Sequence, residues 1–141
     1  MPELVEINDE RSPEYYETSL NELLNWSVTS GGFSAAVVTT MDGLPLASVK
    51  SNIEPETLAA LSSLFDNTAS RAESFLGWTK VEEMSLVSSD GVRLVIRPFA
   101  AEVDHYMLVV VVPAGKSYRR VTNRVLRGLA PLMKRWSEAD G

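Results

Sequence analysis

Gly115, Lys116 and Ser117 follow an apolar run, which is the order in which a phosphate-binding loop ends. Such a loop also needs a glycine five positions before the Gly-Lys pair, because its backbone amides curl around the phosphates. That position is Val110, whose branched side chain continues a strand and disfavours the positive φ of a glycine. The sequence therefore favours a strand, a Pro-Ala-Gly turn and a helix capped by Ser117 over a nucleotide site.

The other residues of catalytic types do not form a recognisable constellation. His105 is the only histidine, and a lone histidine without a nucleophile cannot build a triad, so we interpret it as a turn residue. Glu82 and Glu83 are neighbours on a predicted strand, where their side chains point to opposite faces. Glu102 and Asp104 fall in a hairpin link, where carboxylates serve solubility. We expect a protein that is not an enzyme and that needs no metal and no cofactor.

Composition predicts one intracellular domain. The 141 residues suit a single core, and the absence of cysteine fits a reducing compartment. The longest fully apolar run, residues 107–114, is too short to cross a bilayer, so we expect a cytoplasmic protein without membrane insertion. We assign residues 1–12 to a flexible tail, 13–137 to the domain and 138–141 to a C-terminal tail.

The charge is unevenly distributed along the chain. Residues 1–115 carry 17 acids and 6 bases, whereas residues 116–141 carry 7 bases and 2 acids, so a net charge of −6 conceals a basic C-terminal segment. That segment could bind an anionic surface, but the negative total and the lack of interleaved aromatic residues disfavour nucleic acid. We favour internal pairing with an acidic first helix that carries Glu14, Glu17 and Glu22. The bases in question are Arg120, Arg124, Arg127, Lys134 and Arg135.

Apolar periodicity and turn residues predict the order α-β-β-α-β-β-β-α. Ser12-Pro13 begins the first helix, and Asp-Gly pairs mark two hairpins, at residues 42–43 and 90–91. The run at residues 107–112 is apolar at every position, so we expect a central strand with helices on both faces of the sheet. Residues 81–88 alternate and predict an edge strand. Pro131 predicts a kink or an early end of the last helix.

The predicted middle helix, residues 55–76, has three distinct sides. A core stripe at helical spacing faces the sheet, and it comprises Leu58, Leu61, Phe65, Ala69, Ala72 and Leu76. A shoulder beside it carries additional apolar surface at Leu64, Thr68 and Phe75. The far side is small and polar, which suits close approach of a partner but equally fits plain solvent exposure. Its residues are Glu56, Ala60, Ser63, Asn67, Ser70, Arg71 and Ser74.

The segments GGFSAAVVTTMDGLPLAS and LAALSSLFDNTASRAESFLG, with the valine-rich strand before Gly115, resemble the Roadblock/LC7 family over residues 15–136. The resemblance implies a profilin-like α+β fold, a five-stranded antiparallel sheet with helices on both faces. It also implies a non-enzymatic protein that forms homodimers or pairs with a paralogue through its third strand and middle helix. Bacterial and archaeal members typically act with small Ras-like GTPases, some as activators of GTP hydrolysis, and eukaryotic ones serve dynein and lysosomal scaffolds.

Two surfaces follow when the resemblance is carried onto this chain. The expected dimer interface comprises Leu64, Thr68, Phe75, Val81, Met84 and Leu86. The small polar side of the middle helix then lies outside the dimer as the expected partner-binding surface. Arg71 on that side either forms a surface salt bridge, which we favour, or reaches a partner's phosphates as an arginine finger.

The resulting hypothesis is a dimeric signalling adaptor that regulates a small GTPase, as an activator or a scaffold. One alternative is a ligand-sensing module, since profilin-like and PAS-like sheets are alike at this level, although bulky strand residues argue against a cavity. Another is an anionic-surface binder that acts through the basic last helix.

Overall fold

In the computed structural model of the protein, residues 12–140 are described. The predicted tail therefore lies outside the described residues except for Ser12. The helices are α1 (Pro13–Thr29), α2 (Pro55–Ser62), α3 (Phe65–Leu76) and α4 (Arg119–Asp140). The strands are β1 (Ala35–Thr40), β2 (Pro45–Ser48), β3 (Met84–Val87), β4 (Arg93–Ala101) and β5 (Asp104–Val112).

The strands form one antiparallel five-stranded sheet in the order β2-β1-β5-β4-β3. The valine-rich strand β5 is central, as its continuous apolar run predicts, because it pairs with β1 on one side and β4 on the other. Strand β3 lies at an edge, which confirms the prediction from the alternating pattern of that segment.

Helices cover both faces of the sheet. Helices α1 and α4 pack on one face, where Leu20, Leu129 and Val110 are fully buried in a shared cluster. Helices α2 and α3 pack on the other face, where Phe65 contacts a second cluster that includes Val109. Adjacent residues of β5 therefore serve different layers, because successive side chains of a strand point to opposite faces. The predicted profilin-like α+β architecture is confirmed.

The first helix and both hairpins form as their sequences predict. Ser12 caps α1, and its Oγ accepts a hydrogen bond from the backbone N–H of Tyr15 at 3.1 Å. Gly43 and Gly91 have φ angles of +92° and +93° in the two turns, a conformation that favours glycine. In the second turn the Asp90 carboxylate accepts from the N–H of Val92 at 3.2 Å.

The predicted continuous helix from residue 55 to 76 is wrong, because two helices meet at a turn. Ser62 donates its hydroxyl to the carbonyl of Ala59 at 2.7 Å, and Ser63 donates to that of Ala60 at 2.6 Å. Such bonds compete with the backbone ladder and often bend helices. Two of them in succession coincide with the end of α2 at Ser62, and α3 begins at Phe65 after two intervening residues.

The last helix differs from its prediction at both ends. Ser117 is not its cap, because α4 begins at Arg119. The early end expected from Pro131 is wrong, since the helix continues to Asp140 and includes residues assigned to the C-terminal tail. Leu132 and Met133, directly after the proline, are buried. The burial of these two side chains stabilises the helix after Pro131 and offsets the loss of the hydrogen bond that the proline removes.

Candidate functional site

The predicted core stripe of the middle helical segment is only partly buried. Leu58, Phe65 and Ala69 are buried as predicted, whereas the prediction is wrong for Leu61 and Leu76, which are exposed. The turn between α2 and α3 shifts the helical phase, so one stripe cannot face the sheet along its whole length. Both buried residues of α3 lie in its first half, and its second half leaves apolar side chains in solvent.

The shoulder beside this stripe is exposed. Leu64 is 61% exposed and Phe75 is 77% exposed, while Thr68 is also exposed. Neither large side chain belongs to either core cluster. We give the name apolar face to the large exposed apolar side chains of this helical segment, the connection after it and β3, which are Leu61, Leu64, Phe75, Leu76, Trp78 and Leu86. Large exposed apolar surface on a soluble domain typically marks an interaction site.

Strand β3 contributes to this face. Met84 is half-buried against the cluster beneath α3, and side chains two apart on a strand share a face, so Leu86 lies on the same side. Leu86 is 56% exposed. Val81, before the strand, is half-buried against the same cluster. The strand pairs with β4 along one edge only, so its other edge presents unpaired N–H and C=O groups among the described residues.

A carboxylate that the sequence pattern does not single out links α3 to the segment before β3. Glu73 Oε2 accepts a hydrogen bond from the backbone N–H of Val81 at 2.8 Å. This contact spans eight residues and closes the connection that contains Trp78. This bond ties the second half of α3 to the segment that leads into β3. Nothing in the periodicity of the sequence indicates this role.

A second carboxylate fastens the approach to β3 to the opposite face of the sheet. Glu83 accepts hydrogen bonds from the hydroxyls of Ser85 and Tyr118 and from Arg119 Nη1, the last at 2.8 Å. The Glu83 side chain is 18% exposed, so this ion pair is less screened than a fully solvated one. Glu83, which the sequence shows only as one of two neighbouring acids, therefore ties the segment before the edge strand to α4.

Arg97 ties β4 to α4 beside that network. Its guanidinium donates to Thr122 Oγ1 at 2.8 Å and to the side-chain oxygen of Asn123. Burial lowers the pKa of Arg97 from its ordinary value, and the positive charge of Arg119 lowers it further. Arginine remains protonated despite such a shift, so a positive charge persists between the sheet and the last helix.

The predicted partner-binding residues are divided between α2, the turn that follows it and α3, and most of them are small and polar. All are exposed except Ser63, which is half-buried close to Gly43 of the first hairpin. Arg71 Nε donates to the Asn67 side-chain oxygen at 3.2 Å, one helical turn away. Arg71, for which we favour a surface salt bridge, therefore has an uncharged hydrogen-bond partner in its own helix. The full set is Glu56, Ala60, Ser63, Asn67, Ser70, Arg71 and Ser74.

The residues of catalytic types are not brought together. Among residues 12–140, no three His, Asp or Glu side chains are grouped so that they could hold a metal ion. His105 is exposed in β5 opposite Ala100 rather than in a turn. No helix in that same range combines the length and the hydropathy that a bilayer crossing needs.

The last helix makes contacts that differ from the predicted pairing. Lys134 Nζ lies 3.3 Å from Glu102 Oε1, an acid of the β4–β5 turn. Arg124 stacks over the ring of Trp26 in α1, with its guanidinium carbon 4.8 Å from the ring centroid. The partner that α1 provides to Arg124 is therefore an aromatic ring, whereas the pairing predicted from charge alone named Glu14, Glu17 and Glu22.

A small recess lies between α4 and the sheet. It has a volume of about 300 Å³ and is lined by Leu46, Tyr106, Met133 and Trp136, together with two hydroxyl residues. This volume is at the lower limit of small-molecule sites. The interior strand positions beneath the helices are filled, with Val37 and Val109 fully buried. The packing therefore offers little support for the ligand-sensing alternative.

No protein-family model matches this sequence, and no curated protein matches it in sequence. Solved structures do match in fold. A structure described as MglB with a tetrameric arrangement superposes with a TM-score of 0.71 at 18% identity, over 88% of this chain and 92% of that chain. The gliding protein MglB from Thermus thermophilus gives 0.64 at 21% identity, over 83% and 90% respectively. A Roadblock/LC7 domain from Streptomyces avermitilis gives 0.57 at 18% identity, over 84% and 94%.

Proposed function

From the premise that this chain has the Roadblock/LC7 fold, we propose that it is a non-catalytic, dimeric regulator of a small Ras-like GTPase. The observation that carries the proposal is the apolar face beside the unpaired edge of β3. Leu64 and Phe75 are exposed in the single chain, although both are of types that proteins normally bury. A second copy of the chain would cover them.

Two-fold symmetry suits this surface. An isologous contact buries the same patch on both copies, and pairing of two β3 edges satisfies the open backbone groups of both. Apolar side chains of Leu64, Phe75 and Leu86 would form the buried centre, and exposed Thr68 would lie among them. Self-association is also supported by the MglB relative, whose structure is described as tetrameric.

The GTPase partner is supported by the family resemblance and by the form of the second surface. Small side chains such as Ala60 and Ser70 allow another backbone to come close and lose little entropy when they are ordered. Arg71 is exposed on this surface. In the proposed complex the regulator provides a docking surface, and it acts as an activator or as a scaffold without binding nucleotide itself.

Binding to Ras-like GTPases encoded in the same genome tests the proposal directly. Each GTPase would be loaded with GDP or with a non-hydrolysable GTP analogue and titrated with the purified chain. We expect one of them to bind with a preference for one nucleotide state. Absence of binding to all of them in both states would overturn the proposed function.

Substitution on the small polar side identifies the surface. We expect Ser70→Arg to weaken GTPase binding at least about tenfold, equivalent to about 1.4 kcal/mol, because a long charged side chain blocks close approach. Thr18→Arg is the matched control, since Thr18 is also an exposed helical residue, in α1 on the opposite face of the sheet. Equal weakening by both variants would contradict this placement.

A further inference from the structure

Helices α1 and α4 run antiparallel and form a continuous seam on the side away from the apolar face. Tyr16 stacks on Trp136 at one end of the seam, with ring centroids 5.8 Å apart. Leu23 lies against Gly128 in the middle of the seam. Val121 lies against the backbone of Gly31 at the other end. The start of α1 is therefore next to the end of α4.

Two grooves follow this seam, with volumes of about 480 and 430 Å³. Trp26 and Arg124 line both grooves, and their stacked side chains form the ridge between them. Leu23 and Val121 contribute apolar surface to the lining. We name the charged part of this surface the arginine face, composed of Arg120, Arg124, Arg127 and Arg135.

The chain itself contains a segment with complementary chemistry. Residues 1–11 read MPELVEINDER, with four acids and one base. Aliphatic side chains at Leu4, Val5 and Ile7 are interspersed among the acids. Guanidinium groups bind carboxylates through paired hydrogen bonds, and the grooves offer apolar surface to the aliphatic residues. Glu22 is the only acid among the residues described as lining the two grooves, so the arginine face has a positive excess.

The segment can reach this surface. It joins the structure at Ser12, beside the end of the seam where Tyr16 and Trp136 stack. From Tyr16 to Trp26 the helix rises about 15 Å at 1.5 Å per residue. If four residues reverse the chain direction, the remaining seven extend about 23 Å. That length reaches the stacked pair of Trp26 and Arg124.

We propose that residues 1–11 bind along the arginine face of their own chain. The covalent tether gives the segment an effective concentration in the millimolar range, so weak charge-assisted contacts suffice for binding. The grooves are recessed and lined by arginine and aliphatic residues, which suits an extended peptide better than a flat membrane surface. Bound in this way, the segment covers the basic surface of the last helix and competes with other anions for it.

A paramagnetic label tests the proposal in the full chain. The sequence has no cysteine, so Pro2→Cys provides a unique attachment site for a nitroxide. We expect the NMR signals of the Trp26 indole and of the Arg120 and Arg124 amides to lose at least about half their intensity at about 0.01 M salt, where the screening length is about 30 Å. Intensity should recover substantially at about 1 M salt, where that length is about 3 Å.

Neutral and reversed charges provide the controls. Broadening should disappear when the four acids are replaced together, as Glu3→Gln, Glu6→Gln, Asp9→Asn and Glu10→Gln. It should also disappear in the double variant Arg120→Glu with Arg124→Glu, but not in Lys50→Glu with Lys80→Glu, which changes the net charge equally at two exposed positions.

Three results would overturn the proposal. The first is broadening that persists after the acids are neutralised. The second is broadening seen only between copies, when labelled chains are mixed with isotope-enriched unlabelled chains. The third is binding of phosphatidylserine vesicles or of DNA to the full chain as tightly as to the acid-neutralised variant, which would show that residues 1–11 leave the arginine face open.

Discussion

Leu64→Ala should weaken self-association of the chain without weakening the fold of a protomer. Leu64 is 61% exposed and lies in the turn between α2 and α3, outside both core clusters. Its side chain therefore contributes little to the interior of a single chain. In the proposed dimer the same side chain is buried twice, once in each copy, because the interface is symmetric.

The size of the effect follows from the exposed fraction. Burying a whole leucine side chain contributes about 1.5 to 3 kcal/mol, so burying the 61% that is exposed contributes about 1 to 2 kcal/mol per copy. Two copies give about 2 to 4 kcal/mol per dimer, which corresponds to a dissociation constant raised roughly 20-fold to several hundredfold. The estimate is an upper range, because alanine retains part of the contact.

Sedimentation equilibrium over a range of protein concentrations measures this constant. Leu44→Ala is the matched control, because Leu44 is 60% exposed in the β1–β2 turn, outside the proposed interface. We expect Leu44→Ala to leave the dissociation constant unchanged. The reasoning is refuted if both variants weaken association equally, if neither does, or if the unmodified chain sediments as a monomer at micromolar concentration.

Two further predictions concern stability and pH. Gly43→Ala should destabilise the fold by about 1 to 3 kcal/mol and more than Gly77→Ala does, as measured by denaturant unfolding. Both glycines have positive φ, but only a Cβ at Gly43 would meet a neighbour, the carbonyl oxygen of Ala59 at 3.0 Å. An equal decrease in the free energy of unfolding of the two variants would contradict the close approach at Gly43. The pKa of Tyr106 is raised above its ordinary value first by burial and then by the charge of Asp104, so Asp104→Asn should lower it only in part, as read from phenolate absorbance or NMR. Because the pKa of Tyr106 is raised in the folded state, the stability that this residue contributes is present below the ordinary tyrosine pKa and is lost as the pH rises through the folded value. If the pKa of Tyr106 returned to its ordinary value in Asp104→Asn, the charge of Asp104 rather than burial would be its main cause.

The order of the elements could be read from the sequence because it depends on local chemistry. Ser12 and Pro13 begin a helix wherever they precede a helical pattern, and the two Asp-Gly pairs accept the positive φ of tight turns. A strand that is apolar at every position needs cover on both faces, and this placed β5 at the centre of the sheet. None of these inferences needs a distant contact.

The candidate site was only partly predictable, because its geometry depends on interactions between distant residues. Helical periodicity indicated the shoulder at Leu64 and Phe75, but it also assigned Leu61 to the core. Leu61 is exposed instead, because the turn at Ser63 changes the direction of the helical segment. A helical projection assumes one axis and one phase, and serine side chains that bond to the backbone change both.

By itself the sequence determined the order of the helical and strand segments, the central strand and the excess of apolar residues along the middle helical segment, though not the division of that segment into two helices. Only the tertiary structure decided which of those residues remain exposed and how β3 is held beside them. Glu73 and Glu83 fix that arrangement through partners that lie 8 and up to 36 residues away. Periodicity reports which side of its own element a residue occupies, whereas the partner of a carboxylate is set by packing between elements.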